Sequence, residues 1–224
     1  MLKFTPADHA RVTGAVSEAE RSSDGEIVTI VAEKSDSYHD VGLHYAVLAM
    51  LLVPALVAAL PQDCIDRAAS LVLGWNASFS LRALMLALIV ALAAVFLIVR
   101  FALAWMPLRM ALTPRSTKTR RVRRRAIELF KVGAQRRTAG HTGVLLYVSL
   151  REHRVEIVAD EAINAKVEPE VWGEAMAVLI DDVKAGRPGE GMAHAVEKIG
   201  AVLAEHFPKS GDDANELPDR LIEL

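Results

Sequence analysis

The residues best suited to chemistry in this chain are three pairs of carboxylates. Asp24 and Glu26 flank the start of an apolar, β-branched run; Glu33 and Asp36 close it; Asp160 and Glu161 close a later one. Clustered oxygen ligands suit hard cations such as Ca2+ or Mg2+. If the two runs form neighbouring strands, Asp24, Glu26, Asp160 and Glu161 meet at one sheet end as a metal set. Solvated acids at strand ends are the plainer reading of the same residues. No motif names a catalytic residue. The seven histidines include no HExxH and no pair with metal-ligand spacing, and there is no GxSxG, Walker A or GxGxxG pattern. His153 beside Glu152 reads as a turn residue. The single cysteine, Cys64, excludes an internal disulfide framework and a Cys-rich zinc site.

The second chemical feature is basic. Arg115, Lys118, Arg120, Arg121, Arg123, Arg124 and Arg125 fall within eleven residues that contain no acid, in a chain of net charge −2. A cytoplasmic topology signal and contact with a membrane surface both fit this cluster. Nucleic acid does not, because no aromatic platform is interleaved with the charges.

Two apolar runs must be placed before either feature can be. Val41 to Gln62 holds no Asp, Glu, Lys or Arg, and Ala83 to Leu108 holds only Arg100. Each exceeds the roughly 20 residues of helix that cross a bilayer core. Leu84–Val99 is apolar on every face, which a core helix of a soluble bundle is not. The expectation is a transmembrane hairpin with spans near 41–62 and 83–108. The connecting loop carries Asp63, Asp66, Arg67 and Arg82, and the Arg cluster follows the second run. By the positive-inside rule the loop faces outward and both termini are cytoplasmic. Tyr45, Trp75 and Trp105 fit the interfaces, and Arg100 and Arg109 lie near the cytoplasmic edge. The first run starts behind an acidic segment with no cleavage pattern, so both runs are expected to be retained.

The flanking segments read as a small domain. Thr5-Pro6-Ala7-Asp8 opens a helix with Val12, Val16 and Ala19 on one face. Glu26 to Ala32 is a strand covered on both sides. A basic helix opens at Thr113 or Ser116 and runs to about Gln135, with Ile127, Phe130 and Ala134 inward. Val144–Leu150 and Arg154–Ala159 form a β-hairpin. Pro169 opens a helix with Trp172, Ala175, Met176, Leu179, Ile180 and Val183 on one face. The last helix carries Met192, Ala195, Val196, Ile199, Leu203 and Phe207. A lone strand in some 40 N-terminal residues leaves its ladder unpaired. It is therefore expected to pair with the hairpin in a three- or four-stranded sheet, the even number of spans returning the chain to the side it left.

The order of SDGEI (Ser23–Ile27), GVLL (Gly143–Leu146) and RVEI (Arg154–Ile157), followed by two helices, resembles the TPM domain family, which includes thylakoid-lumen phosphatase-like and photosystem-repair proteins and bacterial membrane-tethered relatives. The resemblance covers about 5–33 and 113–207. It implies an α+β fold, a small mixed sheet covered by helices. It also implies that a divalent cation and phosphate-ester hydrolysis are within the family's range. The chain departs where relatives carry a glycine-rich turn after the third strand, since Ala159–Asn164 has no glycine. The expected organisation is 1–40 as the first piece of a split TPM-like domain, 41–108 as the transmembrane hairpin, 109–207 as the remainder and 208–224 as a polar tail. The expected function is a membrane-tethered binding module in a bacterial inner membrane, with the bilayer and another membrane or envelope protein as partners. The alternative is a metal-dependent phosphatase.

Overall fold

A computed structural model describes residues 4–64, 67, 70, 80–133, 142–210 and 217–224. The expectations placed on Asp66, Trp75, Ala134 and Gln135 lie outside these. In chain order the elements are α1 (Pro6–Ser22), β1 (Glu26–Ala32), α2 (His39–Ala59), α3 (Leu81–Ala102), α4 (Met106–Leu112), α5 (Arg115–Gly133), β2 (Gly143–Ser149) and β3 (Arg154–Ala159). There follow α6 (Glu161–Asn164), a 3-10 turn at Pro169–Val171, α7 (Trp172–Lys184), α8 (Pro188–His206) and β4 (Ile222–Glu223). They group into two compact units, Met1–Asp36 with Arg115–Leu224, and Ser37–Pro114.

The first unit is an α+β fold around a mixed four-stranded sheet of order β3-β2-β1-β4. β1 pairs in parallel with β2 along its whole length, from Glu26↔Gly143 to Ala32↔Ser149, and in parallel with β4 at Ile30↔Ile222 and Val31↔Glu223. β2 and β3 form the antiparallel hairpin. Strand alternation sends Ile27, Val31, Val144, Leu146 and Val148 into one core with α1, α7 and α8, and Val28, Ile30, Leu145 and Tyr147 into another with α5. That is why every residue of β1 and β2 is buried.

Local chemistry sets the helix ends and faces. Thr5 and Asp8 close a reciprocal capping box on α1, with the Asp8 amide donating to Thr5 Oγ1 and the Thr5 amide to Asp8 Oδ2. On α5 the buried stripe is Val122, Ala126 and Phe130, one turn earlier than the sequence suggests, with Ile127 half-buried. The spacing of four residues keeps these three on one face. α1 and α8 pack closely: a Cβ on Gly200 would stand 2.5 Å from Ala19 Cβ.

In the second unit α2 and α3 pack on each other, and α3 buries none of its residues. Both are long and apolar enough to cross a membrane. The second apolar run is not one helix to Leu108. α3 ends at Ala102 and α4 begins at Met106. Pro107 supplies no N–H to the carbonyl four residues back, Leu103. That carbonyl instead accepts from Arg109 Nε at 2.6 Å. The same guanidinium donates to the Ser37 carbonyl at 2.7 Å and is 3 % exposed. Arg109 is thus a buried clamp joining both ends of this unit rather than a charge at its rim. Tyr38, held at φ 52°, packs beside it with Val41 and Met110.

Gly200→Ala should destabilise the protein by about 1–3 kcal/mol through overpacking. Gly14→Ala, on an open face of α1 with nothing within 4 Å of the added carbon, should stabilise it by up to about 1 kcal/mol. Thr29 Oγ1 is buried without a partner among the described residues. Thr29→Val should therefore raise the melting temperature, since it removes a polar group whose desolvation nothing offsets. Thermal melts of the three purified variants against wild type check all these signs.

Candidate functional site

The parallel pairing of β1 with β2, and the reversal into β3, bring the predicted acids to one end of the sheet. β1 and β3 are not neighbours, however, because β2 lies between them. The premise that adjacent strands draw the four carboxylates together is corrected accordingly.

Each carboxylate at this end accepts from a main-chain amide, apart from Glu161. Glu26 is 5 % exposed and takes the Leu217 amide at 3.2 Å. Asp160 is buried and takes the Gly143 amide at 3.3 Å, while its own N–H donates to the Gly143 carbonyl. Asp24, half-buried, takes the Ser210 amide at 3.0 Å, and the Ser210 hydrogen bonds hold its carboxyl below the usual range. Glu161 is exposed in the first turn of α6. Among the described residues no group of three or more His, Cys, Asp or Glu side chains is arranged to hold a metal ion.

A fifth carboxylate in this neighbourhood is not marked by any local pattern. Glu20, at the end of α1, is 8 % exposed and takes the Ile27 amide at 2.9 Å. Burial pushes its pKa up to about 8, with Glu26 and Asp219 adding like charge and the Ile27 hydrogen bond opposing. Its position among polar helix residues offers no sequence signal; only the fold of α1 against β1 buries it.

The opposite end of the sheet holds a polar cluster that local pattern also does not announce. Ser35 Oγ donates to Ser149 Oγ at 2.9 Å and lies 3.0 Å from the Tyr147 hydroxyl. Ser149 Oγ donates to Glu152 Oε2 at 2.5 Å, and Glu152 Oε1 takes the Ser35 amide at 2.9 Å. Burial raises the Tyr147 pKa. Ser149 is thereby held by an acid that also anchors the chain leaving β1, so the cluster latches that chain to the end of β2. On the other sheet face a cavity of about 450 Å3 is lined by Val148, Leu150, Val155, Ile180 and Val183 together with Ser149, His153, Arg154 and Lys184. It is a mostly apolar recess with no carboxylate in its lining.

A His–Asp pair sits at the α7–α8 junction. His194 Nδ1 lies 2.9 Å from Asp182 Oδ2, and Arg187 donates to Asp182 Oδ1 at 2.5 Å. His194 and Arg187 together hold the Asp182 pKa low. The pair has the geometry that orients a catalytic imidazole, but here it ties the turn between two helices.

The basic residues divide. Arg121 is mostly buried as a side chain and pairs with Asp36 at 3.0 Å. Arg124 reaches Asp36 and Glu128, and Arg125 reaches Glu128. Arg123 lies near the half-buried Glu156, whose pKa burial raises and Arg123 lowers. Arg115 and Arg120 are exposed and Lys118 half-buried.

Residues 108–202 match the family model described as the TPM domain. The TPM domain match thus covers 95 of the 224 residues, in the second part of the chain. The matched stretch begins after the two apolar helices, so β1 lies outside it, yet β1 pairs with β2 of the TPM domain and with β4 beyond its end. Among solved structures the chain is similar to the NMR structure of BA42 protein from the psychrophilic bacterium Bizionia argentinensis sp. nov.. The identity is 17%, the TM-score 0.56, and the likeness covers 99% of this chain and 95% of that one. At this identity the likeness shows a shared fold. No curated protein matches the chain.

Glu20 binds a proton more tightly folded than unfolded between pH 4.5 and about 8. Its contribution is therefore most favourable below pH 4.5 and is lost as pH rises through about 8. Glu20→Gln keeps an acceptor for the Ile27 amide and removes the titration. Melting temperature followed from pH 5 to pH 9 should fall less steeply in this variant than in wild type, and the variant should be the more stable at the upper end.

Proposed function

We propose that this chain is a two-pass protein of a bacterial inner membrane whose TPM domain acts as a membrane-tethered binding module for another membrane or envelope protein. The observation that carries the reading is α3. It has 22 residues, none buried, and Leu86, Ile89, Val90, Ile98 and Phe101 are each more than 60 % exposed. In water such a surface costs roughly 25 cal/mol for every Å2 of apolar area left uncovered. A hydrocarbon core removes that cost and tolerates a helix whose own backbone is fully hydrogen-bonded. α2 presents Leu48, Leu51, Leu52 and Leu56 in the same way.

The binding-module reading is supported by the use made of the acids. Glu26, Asp24 and Asp160 spend oxygens on main-chain amides, and Ser149 is latched to Glu152. The charge asymmetry around the spans supports cytoplasmic termini, with the loop at Cys64 outside.

Cys64 is exposed and is the sole thiol, so it reports topology directly. The protein should remain in the membrane pellet after alkaline carbonate, and a membrane-impermeant maleimide should label Cys64 in intact spheroplasts. Release by carbonate would overturn membrane insertion. Protection in intact cells with labelling in detergent would invert the topology. Magnesium-dependent release of phosphate from an aryl phosphate, lost in Glu26→Gln, would replace the binding module with the phosphatase.

A further inference from the structure

The cations of α5 are not equivalent. Packing of the helix begins at Val122, and nothing before it in α5 is buried. The preceding residues Arg115–Arg120 overhang the core by nearly two turns, about 9 Å at the α-helical rise. Beyond that point Arg121, Arg124 and Arg125 are matched to Asp36 and Glu128, and Arg123 lies near Glu156. On the overhang, Arg115, Lys118 and Arg120 have no carboxylate partner among the described residues. The sequence supplies none nearby, since no acid occurs between Asp66 and Glu128.

Three unmatched cations spread around the axis of this segment, Arg115 and Arg120 exposed and Lys118 half-buried, offer positive charge to anions on more than one side, and the helix amino terminus adds partial positive charge of the same sign. The segment begins thirteen residues after the end of α3. A juxtamembrane position of this kind sets Lys and Arg within reach of the lipid headgroup layer, where each charge interacts favourably with anionic lipid. We propose that Arg115, Lys118 and Arg120 bind the phosphodiester headgroups of anionic phospholipid, leaving Arg121, Arg123, Arg124 and Arg125 to internal roles in the domain. The proposal rests on the membrane reading given above and deepens it by naming the lipid contact. Arginine's planar fork suits phosphate oxygens, and Lys118, one turn on from Arg115, adds a point charge.

The test uses the full chain reconstituted in vesicles, with Cys64→Ser and Ser116→Cys carrying an environment-sensitive fluorophore on the overhang. Adding phosphatidylglycerol to phosphatidylcholine vesicles should shift the emission to the blue, and raised salt should reverse the shift. Arg115→Ala/Lys118→Ala/Arg120→Ala should abolish the shift while leaving the circular-dichroism melt unchanged. Arg115→Lys/Arg120→Lys should retain it, and Arg124→Ala should leave it intact. Identical emission in both lipids, or a shift that survives the triple substitution, would overturn the proposal. So would loss of the shift on adding millimolar inorganic phosphate or glycerol phosphate at constant ionic strength, which would mark a site for a soluble anion. Failure of the protein to stay with vesicles of either composition would overturn the membrane reading itself, and the lipid contact with it.

Discussion

The pairing of β1 with β2 is the constraint from which the rest of the α+β fold follows. β1 is apolar on both faces, and a strand of that kind can neither face water nor leave its ladder groups unpaired. Its partners are β2, more than a hundred residues later, and β4, near the end of the sequence. Two cores form because both faces of β1 and β2 must be covered, one by α1, α7 and α8 and the other by α5. The chain between β1 and α5 is thereby obliged to leave and return, and it does so as a compact unit of its own. Within that unit Arg109 binds Ser37 and Leu103 together, using a carbonyl that Pro107 had released.

The acids at the amino end of the sheet are best understood through the same constraint. Parallel strands begin side by side, so their first amides and the segments leading into them crowd together. Glu20, Glu26, Asp24 and Asp160 accept from four such amides, those of Ile27, Leu217, Ser210 and Gly143. Carboxylate acceptors make stronger hydrogen bonds than neutral ones, which offsets part of the cost of burying them. Glu20 shows what is left over: its proton is retained to about pH 8 because burial outweighs the Ile27 amide bond. Carboxylates so engaged hold chain segments in register.

The basic helix follows the opposite logic. Its middle is matched to Asp36, Glu128 and Glu156 by the packing of α5 over the sheet, whereas its first two turns overhang with unmatched charge. One run of like residues therefore serves two ends, internal pairing and unmatched positive charge, and the boundary between them falls at Arg121, beside the first buried residue, Val122.

Much of the fold was legible in local spacing. The capping box at Thr5, the limits of β1 and β3, the apolar stripe of α8 and the two long apolar helices are all set by residues within a turn or two of one another. Periodicities of two and 3.6 residues record such neighbours directly. What depended on distant partners was not legible. The place of β2 between β1 and β3, the docking of Leu217 and Leu221 with β4, the burial of Glu20 and Arg109 and the latch from Ser35 to Ser149 and Glu152 each join residues far apart in the chain or bury a polar one. A polar side chain looks the same in sequence whether solvated or spent on an amide. Only the tertiary structure, by bringing that amide within 3 Å or leaving water there, decided between the two.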